Sequence, residues 1–256
     1  MVEVFKLSPS LYFQSADKSF TIPMVKDLSD DDLMELANHL EVQFPSGISR
    51  YHREPGRFRL FISHISAHKV EANELKASLD AFCIDGFVAH EDLEPTTEWQ
   101  DEIESALWRS DALVALIHEG FSESRWTDQE VGFALGRGLK VLPVRCGKDP
   151  YGFIGKYQGI PGNGGDMRVL AGTLFDLLAA SAQTKRSLGL GIGYALRHSS
   201  SFDGTRTACR LLKSGAFDLS LLDLKELIRA SFANPQVSRC DFGGSPAPDF
   251  LERLLA

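Results

Sequence analysis

The feature that most constrains the fold is an alternation of short apolar runs with amphipathic segments between residues 57 and about 182. Strands are predicted at residues 58–63, 86–89, 111–117 and 140–144, with a weak fifth. The segments between them carry apolar residues at helical spacing, for example Leu75, Leu79 and Phe82. Because strands joined by helices build a parallel sheet covered on both faces, we expect an α/β, flavodoxin-like doubly wound sheet in strand order 2-1-3-4-5.

Three regions are expected along the chain. Residues 1–56 form an N-terminal extension, an extended segment followed by one helix that starts at Ser29, and residues 57–182 form the sheet domain. Residues 183–256 lose the strand pattern and form a small helical appendage, in which Asp203 caps one helix and Ser220 with Asp223 opens the next. The run GLGIG at 189–193 resembles a dinucleotide fingerprint. However, a polar segment precedes it instead of a strand, so no phosphate site is expected there.

Composition narrows the function classes. The 256 residues are 43% hydrophobic and 24% charged, as in ordinary globular proteins, and the formal net charge of −8 argues against a nucleic-acid partner. The four cysteines form no CxxC pair, which favours a reduced, intracellular protein. No signal-peptide pattern opens the chain and no apolar run approaches the roughly 20 residues of a membrane span, so a cytoplasmic protein is expected. The histidines show no ligand spacing, and no metal site is expected (His39, His52, His68, His118 and His198).

Candidate site residues follow from the predicted topology. An open parallel sheet binds ligands beyond the carboxyl ends of its strands where the strand order reverses, here between strands one and three. Ser63 and His64 end strand one, and either they contact a substrate or they are ordinary loop residues. The helix after strand three carries Trp126 and Glu130 four residues apart, on one face. Glu130 has no cation at i±3 or i±4, which favours a functional carboxylate over a surface glutamate.

Several runs, taken together and in order, resemble a Toll/interleukin-1 receptor (TIR) domain over residues 57 to about 180. The serines at 122 and 124, followed by Trp126 and Glu130, resemble the prokaryotic, enzymatic branch of that family. Many members carry tyrosine where this chain has His64, so the resemblance assigns that residue no certain role. The runs that carry the resemblance are FRLFISH, AHEDLEP, EWQDEIESALWRSDALVALI, FSESRWTDQEVGFAL and KVLPV.

The resemblance implies a site and an activity. Glu130 occupies the position of the family's catalytic residue for NAD+ cleavage, and Trp126 would supply a wall or a stacking surface for an aromatic ring. His90, Glu91 and Asp92 fall in the loop that contacts the ligand or a neighbouring subunit in the family, although a solvated loop would have the same composition.

The activity implied is that of an NAD+ nucleosidase or cyclase, which releases nicotinamide and either ADP-ribose or a cyclic ADP-ribose isomer. NAD+ is then the substrate, and no separate cofactor is needed. The resemblance also implies antiphage defence signalling, a homo-oligomer formed through the TIR loops, and an effector that reads a nucleotide product. The alternative is a TIR scaffold without catalysis that acts through protein–protein association.

Overall fold

The computed structural model describes residues 3–7, 10–14, 19–23, 56–88, 97–215 and 217–254, and divides the chain into two compact units. The first unit, Met1–Glu54, contains an antiparallel sheet with the strand order β1-β2-β3. Its strands are β1 (Glu3–Leu7), β2 (Ser10–Gln14) and β3 (Ser19–Pro23). The sequence predicts an extended segment here, and the helix expected from Ser29 lies outside the described residues.

The second unit, Pro55–Ala256, is built on a five-stranded parallel sheet. Its order, β5-β4-β6-β7-β8, is the predicted 2-1-3-4-5, so the doubly wound fold is confirmed. The weak fifth strand is only two residues long. The strands are β4 (Phe58–Ser63), β5 (Ile84–Val88), β6 (Ala112–Ile117), β7 (Lys140–Arg145) and β8 (Ile160–Pro161).

Helices cover both faces of this sheet because its central strands are apolar on both sides. All six residues of β6 are buried, as expected for a parallel strand between two helical layers. Leu60 and Val114 face one core, which α1 (Lys69–Leu79) and α4 (Met167–Ala180) complete. Phe61 and Leu113 face the other core, which α2 (Thr97–Arg109) and α3 (Thr127–Gly136) complete.

The C-terminal helices pack on the first of these cores. They are α5 (Lys185–Arg197), α6 (Phe202–Ser214), α7 (Leu221–Ala233), α8 (Pro235–Ser238) and α9 (Ala247–Arg253). Leu188, Ile192 and Leu196 of α5 lie in the same cluster as Phe58 and Leu60 of β4. The boundary expected at residue 182 therefore falls inside the second compact unit. In the part of the chain that the structure describes, no helix combines the length and the apolar character needed to span a bilayer.

The GLGIG run lies inside α5, where its glycines allow close packing. A Cβ on Gly191 would lie 2.4 Å from the backbone nitrogen of Phe58, and one on Gly189 would lie 2.7 Å from the Cβ of Phe217. Real Cβ contacts are almost never this short, so the helix can approach β4 only because position 191 has no side chain.

Two helix starts were predicted in this region. The capping box at Ser220 and Asp223 is present at the start of α7, as predicted. The prediction for α6 is wrong by two residues, since Ser201 is its cap and accepts a hydrogen bond from the Gly204 N–H. Ser201 has the extended backbone that a cap requires, whereas Asp203 already lies in the first turn and bonds to Arg206.

Candidate active site

The site lies at the carboxyl edge of the parallel sheet, where the strand order reverses. From β4 the chain passes through α1 to β5 on one side, and β6 then pairs with β4 on the other side. Ser63 is the last residue of β4 and pairs in register with Ala115 of β6. His64 follows β4 directly and His118 follows β6 directly, so both histidines emerge at this edge. Ser63, His64 and His118 are 0%, 2% and 8% exposed.

Glu130 reaches the same edge from α3. The hydroxyl of Thr127, the first residue of α3, donates to the Phe121 carbonyl at 2.6 Å and ties the start of the helix to the preceding turn. Glu130 lies in the first turn of α3 and is only 3% exposed. The Ser63 hydroxyl donates to the Oε2 atom of Glu130 at 2.6 Å. The structure thus joins two candidates that the sequence places 67 residues apart.

The surroundings of Glu130 suit a carboxylate. A buried charge is costly unless hydrogen bonds compensate it, and the short bond from Ser63 supplies one. The first turn of a helix also carries the positive end of the helix dipole, which favours a negative charge there. Both effects come from the backbone and from β4, and neither requires a cation beside Glu130 along α3.

Trp126 occupies the N-cap position of α3, four residues before Glu130. Its side chain is partly buried and packs against the core formed by Phe61 and Leu113. The backbone N–H of Glu130 donates to the Trp126 carbonyl at 2.9 Å, which is the first turn of the helix. Trp126 is therefore a partly buried core residue that lies one helical turn before Glu130.

The structure says less about the remaining site residues predicted from the sequence. The Nδ1 atom of His64 lies 3.2 Å from the carbonyl oxygen of Ile62, a contact that orients the ring. His90, Glu91 and Asp92 lie outside the described residues, so their expected role in a ligand or subunit contact stays a prediction.

The structure also brings together three residues that the sequence reading did not connect. The Nδ1 atom of His68 lies 3.1 Å from Oε1 of Glu71, and the Nε2 atom of His118 lies 3.0 Å from Oε2 of the same carboxylate. The two imidazole rings stack with their centroids 3.4 Å apart and their planes 8° apart. Burial lowers the pKa of His118 below its ordinary value, and the charges of His68 and His64 add to this effect while Glu71 opposes it.

A sequence signal for this group existed. His68 and Glu71 stand three residues apart at the start of α1, a spacing that places two side chains on one helix face. The predicted strand order puts the residue after strand three beside the residues after strand one. His118 could therefore have been assigned to the group from topology, although not from spacing.

Comparison with known families agrees with this architecture. Residues 60–167 match the family model for the TIR domain. The matched segment runs from within β4 to the first residue of α4 and contains both Ser63 and Glu130. The chain thus carries a TIR domain, and the resemblance found in the sequence is confirmed at this level. The TIR family includes NAD+ hydrolases as well as members without enzymatic activity. No curated protein gives a significant match to the chain.

Proposed function

We propose that this TIR protein cleaves the nicotinamide–ribose bond of NAD+, with Glu130 as the catalytic carboxylate. The observation that carries the proposal is the buried Glu130 carboxylate, hydrogen-bonded by Ser63 at the switch point of the sheet. A family that includes NAD+ hydrolases supports the choice of substrate.

The chemistry needs one negative charge in the right place. When the bond between ribose C1′ and the nicotinamide nitrogen breaks, its electron pair leaves with the nitrogen, and neutral nicotinamide departs without protonation. The ribose becomes oxocarbenium-like, and a fixed carboxylate stabilises this positive charge, as in glycoside hydrolysis. Burial of the carboxylate strengthens the interaction because little water screens it.

Water or a group of the same substrate completes the reaction. If water attacks C1′ and loses a proton, the products are nicotinamide, ADP-ribose and H+. If another nucleophile of the bound substrate attacks, a cyclic ADP-ribose isomer forms and that nucleophile loses the proton. Both routes use the same carboxylate.

The neighbouring residues take supporting roles in this proposal. Ser63 is a positioning residue that fixes Oε2 of Glu130, and Trp126 offers an aromatic surface on which a ring of the substrate stacks. His64, directly after β4, is a further substrate contact in this proposal. His90 and Asp92 complete the site from their loop, within one subunit or from a neighbour.

The wider role extends the same proposal. TIR domains commonly self-associate, which supports a homo-oligomer as the active form. Antiphage defence, with a nucleotide product read by an effector, is the role that the resemblance to the prokaryotic branch suggests. NAD+ serves as substrate in this scheme.

The decisive test is NAD+ consumption by the full-length protein at high concentration, with the products separated by chromatography. We expect nicotinamide release that falls at least about 100-fold in Glu130→Gln, the lower end of what loss of one preorganised electrostatic group costs. Glu123→Gln is the matched control, because Glu123 is an exposed glutamate in the turn just before α3 and its loss should leave the rate unchanged.

Two outcomes would contradict the proposal. Full activity in Glu130→Gln would show that another residue is the catalytic carboxylate. Absence of turnover in wild type, in a sample shown by ultracentrifugation to be assembled, would favour the alternative of a TIR scaffold without catalysis.

A further inference from the structure

Helix α7 presents a face to solvent that is both apolar and basic. Leu222, Lys225, Arg229 and Phe232 follow one another at intervals of three or four residues, which places their side chains on one side of the helix. Leu222 is 74% exposed and Phe232 is 56% exposed, and Leu221 beside them is 59% exposed. Single exposed apolar residues are common, whereas a group of them on one face marks a surface that binds a partner.

The opposite side of α7 is committed to the fold. Leu227 and Ser231 are buried, and Leu227 belongs to the larger apolar core of the second unit. The Ser231 hydroxyl donates to the Ile228 carbonyl at 2.7 Å, so its polar group is satisfied within the helix. Apolar packing therefore holds α7 in place by one side and leaves Leu222 and Phe232 on the other side in contact with water.

The charges of α7 are divided in the same way. Its two carboxylates, Asp223 and Glu226, lie 2.9 Å and 3.1 Å from guanidinium nitrogens of α5. Among the residues that the structure describes, neither Lys225 nor Arg229 has a carboxylate partner. The exposed face therefore carries two positive charges among apolar groups, and it is complementary to a surface that combines apolar groups with carboxylates.

The distribution of charge along the chain indicates which partner has such a surface. Residues 183–256 contain 10 lysines and arginines and 7 aspartates and glutamates, a formal charge of +3. The TIR segment, residues 57–182, contains 12 and 19 of them, a formal charge of −7. The net charge of −8 disfavours approach to an anionic lipid surface, whereas a second copy of the chain can meet the α7 face with its negative TIR segment.

The TIR segment also offers apolar groups next to its carboxylates. On α1, Val70 is 72% exposed, and the exposed Glu74 lies one turn later on the same helix face. A face of this kind receives an apolar side chain and a cation in one contact, which is what α7 presents.

We propose that the exposed face of α7 docks on the TIR segment of a second copy of the chain. The contact uses a different surface on each copy, so the copies associate head to tail. It is separate from association through the TIR loops and does not involve Glu130. The proposal therefore goes beyond the proposed function and holds whether or not the protein cleaves NAD+.

Sedimentation velocity of the full-length protein over a range of concentrations tests the association. We expect the sedimentation coefficient of wild type to rise with concentration. Leu222→Ser/Phe232→Ser and Lys225→Glu/Arg229→Glu should each raise the dissociation constant at least about tenfold, because each removes two groups from the centre of the contact. All four side chains are exposed, so both variants should keep the urea denaturation midpoint of wild type.

A matched control separates this face from general charge effects. Arg210 and Lys213 are exposed cations of α6, three residues apart on the same positively charged part of the chain. Arg210→Glu/Lys213→Glu changes the net charge by the same amount as reversal of the two cations of α7. Its dissociation constant should stay within about threefold of wild type, since isolated surface charges contribute little.

A second measurement uses wild type alone. A zero-length carbodiimide joins a lysine amine to a carboxylate only where the two groups touch. In a mixture of ¹⁴N-labelled and ¹⁵N-labelled protein, mass spectrometry should detect mixed-isotope peptides that link Lys225 to an aspartate or glutamate of residues 57–182.

Three outcomes would overturn the proposal. The first is a wild type that stays monomeric at every concentration, and the second is equal association of wild type and both α7 variants. The third is binding of monomeric protein to vesicles of phosphatidylcholine and phosphatidylserine that Leu222→Ser/Phe232→Ser abolishes, because this would assign the face to a membrane surface.

Discussion

Replacing Ser63 by alanine tests the central interaction of the candidate site. The substitution removes one oxygen atom and with it the 2.6 Å hydrogen bond to Oε2 of Glu130. Both residues are almost fully buried, so bulk water does not readily replace the lost donor. A hydrogen bond to a charged group contributes about 1.5–3 kcal/mol to the free energy of unfolding, and we expect Ser63→Ala to lose that amount.

The expected change is large enough to measure by thermal melting or urea denaturation. For a unit of this size, each kcal/mol corresponds to about 2–4 °C in melting temperature, so Ser63→Ala should melt roughly 3–12 °C lower. Ser66→Ala is the matched control, because Ser66 is an exposed serine in the turn after the same strand, and its change should stay within about 0.5 kcal/mol.

The charge of Glu130 can be separated from the hydrogen bond itself. In a Glu130→Gln background the Ser63 hydroxyl would donate to a neutral amide oxygen, and Ser63→Ala should then cost only about 0.5–1.5 kcal/mol. Under the proposed function, Ser63→Ala should also lower kcat more than it raises KM, since it displaces the carboxylate without removing it. A free energy of unfolding for Ser63→Ala within 0.5 kcal/mol of wild type would refute this reasoning.

Three further predictions test other parts of the structure. Gly191→Ala should destabilise the protein by about 1–3 kcal/mol in urea denaturation, because the new Cβ meets the backbone of β4, whereas Gly132→Ala in α3 has open space and should stabilise by up to about 1 kcal/mol. Ser220→Ala should cost about 1 kcal/mol in the same assay through loss of the cap on α7, and no loss would mean that the capping box does not form. The lowered pKa of His118 means that its neutral form is favoured in the folded state. Its contribution to stability should therefore be present above the ordinary pKa of 6.5 and be lost as the pH falls below it. Melting temperatures of wild type and His118→Gln from pH 8 to 5 should show a shallower acid slope in the variant, and parallel curves would contradict this.

The sheet could be predicted because a strand that is buried on both faces consists almost entirely of apolar residues. The six apolar residues of β6 and the helical spacing around Leu75 are local patterns, and the strand order follows from the connections between them. Topology alone also placed Ser63 and Glu130 at one edge of the sheet. The two-residue length of β8 and the antiparallel order of β1 to β3 had no comparable pattern.

The sequence does not reveal which side chains from distant segments contact each other. Helix α3 itself contains no lysine or arginine, and Ser63, at the end of β4, donates a hydrogen bond to Glu130. His68 and His118 likewise share Glu71 only because β4 and β6 are neighbours. Such contacts depend on side-chain positions within an already folded sheet, which spacing rules do not encode.

The close approach of α5 to β4 determines which segment of this protein could be transferred into a chimera. The segment that matches the TIR family begins at Leu60 and stops at Met167, so it cuts β4 after two residues and leaves α4 and α5 behind. A chimera joined at those limits would separate Gly191 from β4, which it packs against. It would also remove the apolar helix residues that bury one face of the sheet. The segment that could be exchanged as a unit is therefore longer than the segment that matches the family. It extends from the start of β4 to the end of α5.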